Sequence, residues 1–365
     1  MTDAVVVGAG AIGAACAYEL AGAGLAVTLV ERREPAAEAS GASAGLLSAF
    51  TGNRAGDLGR LCRLSRDLYA PLAEALREET GLDIHHERGG HLEVCTSDAE
   101  ARWARKLAAE AGGPEPVEFL TRDALLALEP AVTPGARGGL LLPRNEWVNN
   151  GRLVFALVEG ARRRGAQVRL GGHVTELRRA GSRVTGVSGP GLDRVDAGTV
   201  VLAAGAWSGQ IAGAPAALGF HPVKGQILAL ANDPPRFRHA LLRGEVYLVP
   251  RRTGECIVGA TVEDGVADKT VTPDAVRWLL AEAAATVPAL AGATPLRAWA
   301  GIRPGSADGL PVVGPWPDLP GLVVATGHNR SGILLAPVTA RIVRDWTVSG
   351  RTDLPAAPFS PERLG

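Results

Sequence analysis

Cysteine is scarce in this chain of 365 residues: Cys16, Cys62, Cys95 and Cys256 lie far apart, and no Cys-X-X-Cys pair occurs. That excludes the usual zinc-ribbon spacing and a disulfide-dense scaffold, and leaves reduced core thiols as the expectation. An excess of charge of either sign is also missing, with 38 Lys and Arg against 38 Asp and Glu. Neither nucleic acid nor an anionic membrane is therefore an expected partner, and an anionic substrate would have to be met by local arginine. No basic segment precedes the first apolar run, so a secretory leader is not expected and the cytoplasm is the expected location. The one long apolar stretch, from Ala4 to Leu25, is broken by glycines at motif spacing and reads as a buried strand, turn and helix rather than a membrane span. His85, His86 and His91 form a loose group that no carboxylate or cysteine completes at a ligand spacing, so no metal is expected. There is no internal repeat, and only the proline-rich tail after Arg351 reads as disordered.

What is present is an alternation of strand and helix signals. Ala4 to Val7 and Ala26 to Val30 read as buried strands flanking a helix from Ala11 to Ala23. Helices are expected over Gly59 to Thr80, Ala99 to Ala111, Arg122 to Leu128, Arg152 to Arg164, Pro273 to Val287 and Gly332 to Val348, the last with Pro337 inside it. Strands are expected at His91 to Cys95, Gln167 to Leu170, Val174 to Arg178, Val184 to Ser188, Thr199 to Ala203 and Leu322 to Ala325. Gln226 to Leu230, Val246 to Val249 and Cys256 to Thr261 suggest an antiparallel sheet, with a hairpin at Arg252-Thr253-Gly254. The fold class is α/β: a Rossmann-type dinucleotide domain, discontinuous in sequence (1–85, 145–215 and 297–365), with a substrate domain on a mostly antiparallel sheet with helices (86–144 and 216–296).

The strongest motif is Gly8-Ala9-Gly10-Ala11-Ile12-Gly13. Gly8 permits the tight turn, Gly10 lets the backbone approach a pyrophosphate, and Gly13 lets the helix pack on the strand. Ala11 and Ile12 open a helix whose first N–H groups can meet phosphate. Glu31 ends the second strand at the spacing of a carboxylate that accepts a ribose diol, which disfavours NADP but leaves NAD and FAD open. The loop Ser40-Gly41-Ala42-Ser43-Ala44-Gly45-Leu46 offers backbone N–H groups with little steric obstruction, suited to a pyrophosphate or a flavin ring.

These segments are similar to the glycine oxidase and D-amino-acid oxidase family of flavoproteins, and the similarity runs from Val5 to about Val348. It also rests on Ala203-Ala204-Gly205-Ala206-Trp207-Ser208, Pro222-Val223-Lys224-Gly225-Gln226, Tyr247-Leu248-Val249-Pro250-Arg251, Gly301-Ile302-Arg303-Pro304-Gly305 and the run from Gly327 to Leu335. The resemblance implies FAD contacts at Glu31, Arg32, Ser40, Ala44, Gly45, Leu46, Val174, Ala204 and Gly205. It implies that His328, Asn329, Arg330, Ser331, Gly332, Ile333 and Leu334 wrap the flavin ring, with the helix dipole at Gly332 favouring negative charge on the reduced ring. No cysteine lies between Arg303 and Gly314, so the implied FAD is noncovalent.

The resemblance further implies a substrate carboxylate on Arg303, whose fork matches it with two parallel hydrogen bonds and which the sequence places in a loop. Tyr247 and Arg330 are implied as further substrate contacts. Val262 stands where the family carries a methionine bordering the pocket, which would leave room for a substrate larger than glycine. No side chain is required as acid or base; the flavin carries the chemistry, and His328 is expected to pack against it. The implied activity is oxidative deamination of glycine or another small amino acid to an imino or oxo acid. Molecular oxygen would be the acceptor, hydrogen peroxide a product, and the thiazole synthase of thiamine synthesis a partner for the imine. The alternative is a dehydrogenase of D-amino or N-substituted amino acids with another electron acceptor, and a homo-oligomer remains open.

Overall fold

The computed structural model describes residues 2–50, 56–111 and 115–364. An α/β architecture is built on two large sheets. The first runs in the order Val312–Pro315, Leu322–Thr326, Leu192–Leu202, Thr2–Val7, Val27–Glu31, Gln167–Leu170. All neighbours in it are parallel except the edge pair Val312–Pro315 with Leu322–Thr326. Strands buried on both faces need continuous apolar runs, which Ala4 to Val7 and Val200 to Leu202 supply. A meander, Glu176–Ala180 and Arg183–Gly189, continues antiparallel from the long strand Leu192–Leu202.

Helices Ala11–Gly22, Asn150–Arg163 and Gly332–Ser349 pack together over this sheet. Small residues set the approach of the first. A Cβ at Gly13 would stand 1.9 Å from the Gly8 carbonyl oxygen, and one at Gly160 would stand 2.7 Å from Tyr18 Cε2. Among the described residues no helix is long and apolar enough to cross a membrane.

The second sheet is ordered Glu263–Asp264, His221–Ala231, Glu255–Gly259, Val246–Pro250, Ala240–Arg243, His91–Cys95, Gly138–Leu142, Glu118–Thr121, and Pro295–Gly305 also pairs with His221–Ala231. Its neighbours are antiparallel except for Ala240–Arg243 beside His91–Cys95. Leu279, Ala283 and Val287 of the helix Pro273–Thr286 and its end pack with Leu228, Leu230, Leu248 and Val258 to form the core on one face.

Several expectations need correction. The helix expected over Gly59 to Thr80 is two, Gly56–Asp67 and Tyr69–Thr80, joined at Leu68. The stretch 297–305, assigned from sequence to the nucleotide part, pairs along its length with the second sheet. Arg303 therefore sits in a strand, opposite Val223, and not in a loop. The tail expected to be disordered is packed: Phe359 is fully buried in the core that also holds Leu20 and Leu335, and Arg363 pairs with Asp308 at 2.7 Å.

Candidate functional site

The parallel sheet aims the C-terminal end of Thr2–Val7 at the glycine turn. Gly8 has φ +100°, and a Cβ on it would stand 2.7 Å from the Ala203 carbonyl oxygen, so only glycine suits the turn. The helix that follows has Gly10 as its N-cap with no side-chain cap. Ala11 N–H donates to Ser40 Oγ at 2.9 Å, which ties the turn to the small-residue loop. Glu31 accepts from Ala9 N–H at 2.8 Å and from Arg33 N–H at 2.9 Å, so its carboxylate is fixed at the end of its strand. The Arg32 guanidinium lies 4.2 Å from the Trp207 ring centroid and donates to Glu38 at 2.9 Å.

The loop from Ser40 to Leu46 is held from behind. Asn150 Nδ2 donates to the Ser40 carbonyl at 2.6 Å, Trp299 Nε1 to the Gly41 carbonyl at 3.1 Å, and Arg251 Nη2 to the Ala44 carbonyl at 2.8 Å. Arg251 also donates to the Val148 carbonyl and to Asn150 Oδ1. Burial pushes Arg251 down to about 10, still well above neutral pH, so a fixed positive charge sits behind this loop. Neither Arg251 nor Asn150 was singled out from sequence. The segment ending at Arg251 carried no sign that its guanidinium turns inward to three backbone and side-chain oxygens.

A cavity of about 970 Å³ opens between the two sheets. Gly8, Gly10, Ala11, Ile12, Glu31, Arg32, Ser40, Ala44, Leu46, Val174, Ala204 and Gly205 line one part of it. His328, Asn329, Arg330, Gly332, Ile333 and Leu334 line it as well, together with Arg303 and Tyr247. Three expected contacts do not reach it. Gly13 packs helix on turn, Ser331 is buried as the N-cap of the last helix, and Gly45, at φ +69°, has Val148 O where a Cβ would be. Val262 does not border the cavity either; it is 51% exposed. It lies outside the strands, between Gly259 and Glu263, and its neighbour Thr261 is the residue tied back to the sheet, with Oγ1 accepting from Gln226 N–H at 2.9 Å.

The cavity's cationic wall is built on the antiparallel sheet. Arg303, Gly301 and Trp299 alternate along one face of their strand. Arg303 Nη1 and Nη2 both donate to the Thr261 carbonyl at 3.3 Å. Among the described residues no carboxylate forms an ion pair with it, and burial pushes its pKa below the ordinary arginine value. The Tyr247 hydroxyl lies against Gly259, where a Cβ would stand 2.6 Å away, and burial raises its pKa while Arg303 opposes that rise. Arg330 is different: its guanidinium is half exposed and pairs with Glu245 at 3.3 Å at the cavity's edge.

His328 is buried, shares a 3.0 Å hydrogen bond with Thr339 Oγ1 through Nε2, and is pushed down to about 3 by burial. It is neutral at physiological pH and suits packing better than proton transfer. Its Nδ1 and the Oδ1 of Asn329 are buried with no partner in the protein. The helix beginning at Gly332 has no side-chain cap. Tyr69 Oη donates to the Ile333 carbonyl and Ser65 Oγ to the Leu334 carbonyl at 2.6 Å, fixing this helix end. A cavity of this size, lined at two places by the N-terminus of a helix without a side-chain cap and by two residues with orphaned buried polar atoms, fits an FAD. The turn at Gly8 to Ile12 and Glu31 would hold its nucleotide end. The residues from His328 to Leu334 would face its ring. His85, His86 and His91 do not form a metal cluster: His86 pairs with Glu146, and His91 bonds Ser48 and the Glu146 carbonyl.

Comparison with known proteins gives the same picture. The family model described as DAO, FAD dependent oxidoreductase, matches residues 3–346. The glycine oxidase of Pseudomonas aeruginosa is 37% identical, over 98% of this chain and 98% of its own. The crystal structure of glycine oxidase from Geobacillus kaustophilus superimposes with a TM-score of 0.92 at 34% identity, covering 98% of each chain. The bifunctional protein ThiO/ThiG of Nostoc sp. is 33% identical over 96% of this chain and 53% of its own.

Proposed function

This chain belongs to the DAO family of FAD dependent oxidoreductases, and from that premise we propose that it oxidises the amine of glycine or a similarly small amino acid. The observation that carries the proposal is Arg303: a partly buried guanidinium lining the cavity, ion-paired to no described carboxylate and beside Tyr247. A fork with that placement suits a substrate carboxylate through two parallel hydrogen bonds. The Thr261 and Lys224 carbonyls hold the guanidinium in one orientation, and the Tyr247 hydroxyl can donate to the same carboxylate.

Bound FAD would accept the hydride from the substrate's α-carbon and pass the electrons to molecular oxygen, giving hydrogen peroxide. The protein's part is placement, and alignment of two bound reactants is worth roughly 7–11 kcal/mol at best. With His328 neutral and buried, no side chain is assigned as a general base. The substrate ammonium must lose a proton before its α-hydrogen leaves, and with no side chain assigned to take it that proton would go to solvent. The FAD is held noncovalently. Arg330, half exposed and paired with Glu245, serves the entrance rather than the deep pocket.

The imino acid released could be hydrolysed or handed to a thiazole synthase of thiamine synthesis. The similarity to the ThiO/ThiG protein of Nostoc supports the second route. The four cysteines, all buried and none in a disulfide among the described residues, fit the reducing conditions of the cytoplasm. The test is peroxide release under air by the purified yellow protein with glycine, sarcosine and D-alanine. Turnover of glycine with peroxide in equal amount supports the reading. Reduction of a dye without peroxide would favour a dehydrogenase, and no reaction with any amine would remove the proposal.

A further inference from the structure

The atoms that fix Arg303 are themselves fixed by a small polar network on the side of the sheet away from the cavity. Nη1 and Nη2 both donate to the Thr261 carbonyl at 3.3 Å, and Nη1 also reaches the Lys224 carbonyl at 3.4 Å. Thr261 lies just beyond the strand Glu255–Gly259, where the regular ladder with His221–Ala231 has ended. Its peptide plane is therefore set by its own hydrogen bonds. Thr261 N–H donates to the Gln226 carbonyl at 3.2 Å, and Gln226 N–H donates back to Thr261 Oγ1 at 2.9 Å. Thr261 Oγ1 has one proton, and it goes to Glu263 Oε1 at 2.6 Å.

Glu263 is the node. The same Oε1 accepts from Gln226 Nε2 at 2.7 Å, and Oε2 faces Lys224 Nζ at 3.6 Å. Lys224 is 2% exposed and is also paired with Asp268 at 3.2 Å. Gln226 Oε1 accepts from Thr272 N–H at 2.8 Å, which ties the network to the start of the helix Pro273–Thr286. Burial pushes the Glu263 carboxyl up, but the hydrogen bonds from Thr261 and Gln226 and the charge of Lys224 outweigh it. The group stays below the usual carboxylate range and is ionised. Glu263 does not line the cavity.

We propose that Glu263 is a positioning residue for the substrate carboxylate: through Thr261 it aims the carbonyl that orients Arg303. The inference rests on the assignment of Arg303 to that carboxylate. A bidentate fork is sensitive to angle as well as distance. Freeing the Thr261 side chain lets its peptide rotate, and the guanidinium is left with only the longer Nη1 bond to the Lys224 carbonyl behind it, without losing its charge. The defect is then confined to ligands that carry a carboxylate, whereas a general loosening of the sheet would disturb cofactor and substrate alike.

The test uses the FAD-loaded protein and the variants Glu263→Ala, Glu263→Gln and Arg303→Ala. Glycolate, a carboxylate without an amine, is titrated by calorimetry, and KM and kcat are measured for glycine. In Glu263→Ala the glycolate affinity falls about tenfold and KM for glycine rises by a similar factor, while kcat moves less than threefold. Glu263→Gln, which still offers Oε1 to Thr261, recovers most of the affinity. In the Arg303→Ala background the Glu263→Ala change has no further effect on glycolate. Unchanged glycolate affinity in Glu263→Ala, or an equal loss in the Arg303→Ala background, overturns the proposal. If the wild-type protein oxidises no amine, the amine-oxidation reading fails, and the glycolate titration still decides the role of Glu263.

Discussion

The Arg303 guanidinium lies directly over Gly225, so closely that a Cβ there would stand 2.3 Å from Nη2 and 2.6 Å from Cζ. Gly225 pairs with Gly301 in the neighbouring strand. Two strands thus drop their side chains at one point: the arginine fills the space at Gly225, and Ala42 of the small-residue loop fills it at Gly301, where a Cβ would stand 2.4 Å from the Ala42 Cβ. Gly225→Ala is expected to lift Arg303 out of register. A misplacement of about 1 Å at a reacting group can lower the rate by roughly 100-fold, so kcat/KM for glycine should fall on that order. The flavin absorbance of the purified variant should be retained. Steady-state kinetics on yellow protein checks both.

Arg303→Lys keeps the charge and removes the fork. Hydrogen bonds to charged groups contribute about 1.5–3 kcal/mol, so kcat/KM for glycine should fall by a factor of roughly 10 to 150. The loss should be in KM more than in kcat, because the group lies away from the bond that breaks. Measurement over a glycine concentration series separates the two.

His328 makes a prediction about stability and pH. Its pKa is about 3 in the folded protein against an ordinary 6.5, so between those values the unfolded chain binds a proton that the native state does not. Stability is therefore full above the unfolded value and is lost as pH falls from about 6.5 toward 3. His328→Asn should flatten this dependence, read as melting temperature against pH, provided the comparison is made with FAD in excess. His91, lowered to about 4 by burial, adds to the same slope in both proteins.

The C-terminal tail is part of the core. Phe359 is fully buried beside the last helix, and the tail's Arg363 also donates to the Leu310 carbonyl at 3.0 Å. Phe359→Ala should cost about 3–5 kcal/mol, as other large core truncations do. A denaturation midpoint in urea, compared with wild type, measures it.

The tail also marks where sequence reading stopped. Its prolines suggested disorder, but Pro361 and Phe359 are buried and the segment forms two short 3-10 turns. A single aromatic docking into a hole has no periodic signature. The glycine turn was legible because φ > 0 and close packing demand glycine at fixed spacing. The last helix was legible from Gly332 onward. Gly138–Leu142 was missed because two glycines and three leucines show no alternation, although that strand sits beside His91–Cys95. Arg303 was recognised as a cavity residue but placed in a loop, since Pro304 and Gly305 look like breakers. The strand tolerates them at its end, where Pro304 faces Pro222. Val262 belongs to the pocket by resemblance of position only; its side chain is half exposed and does not line the cavity. The network behind Arg303 could not be read at all, because Lys224 and Gln226 meet Glu263 only through the pairing of separate strands, and Asp268 reaches Lys224 from the loop that follows.

The most direct measurement is anaerobic. Glycine is added without oxygen to the purified yellow protein and to Arg303→Ala, and the visible flavin absorbance is followed. The wild type should bleach, and Arg303→Ala should bind FAD yet keep its colour at the same glycine concentration. Persistent oxidised flavin in the wild type with excess glycine, sarcosine and D-alanine, or equal bleaching in Arg303→Ala, would contradict this.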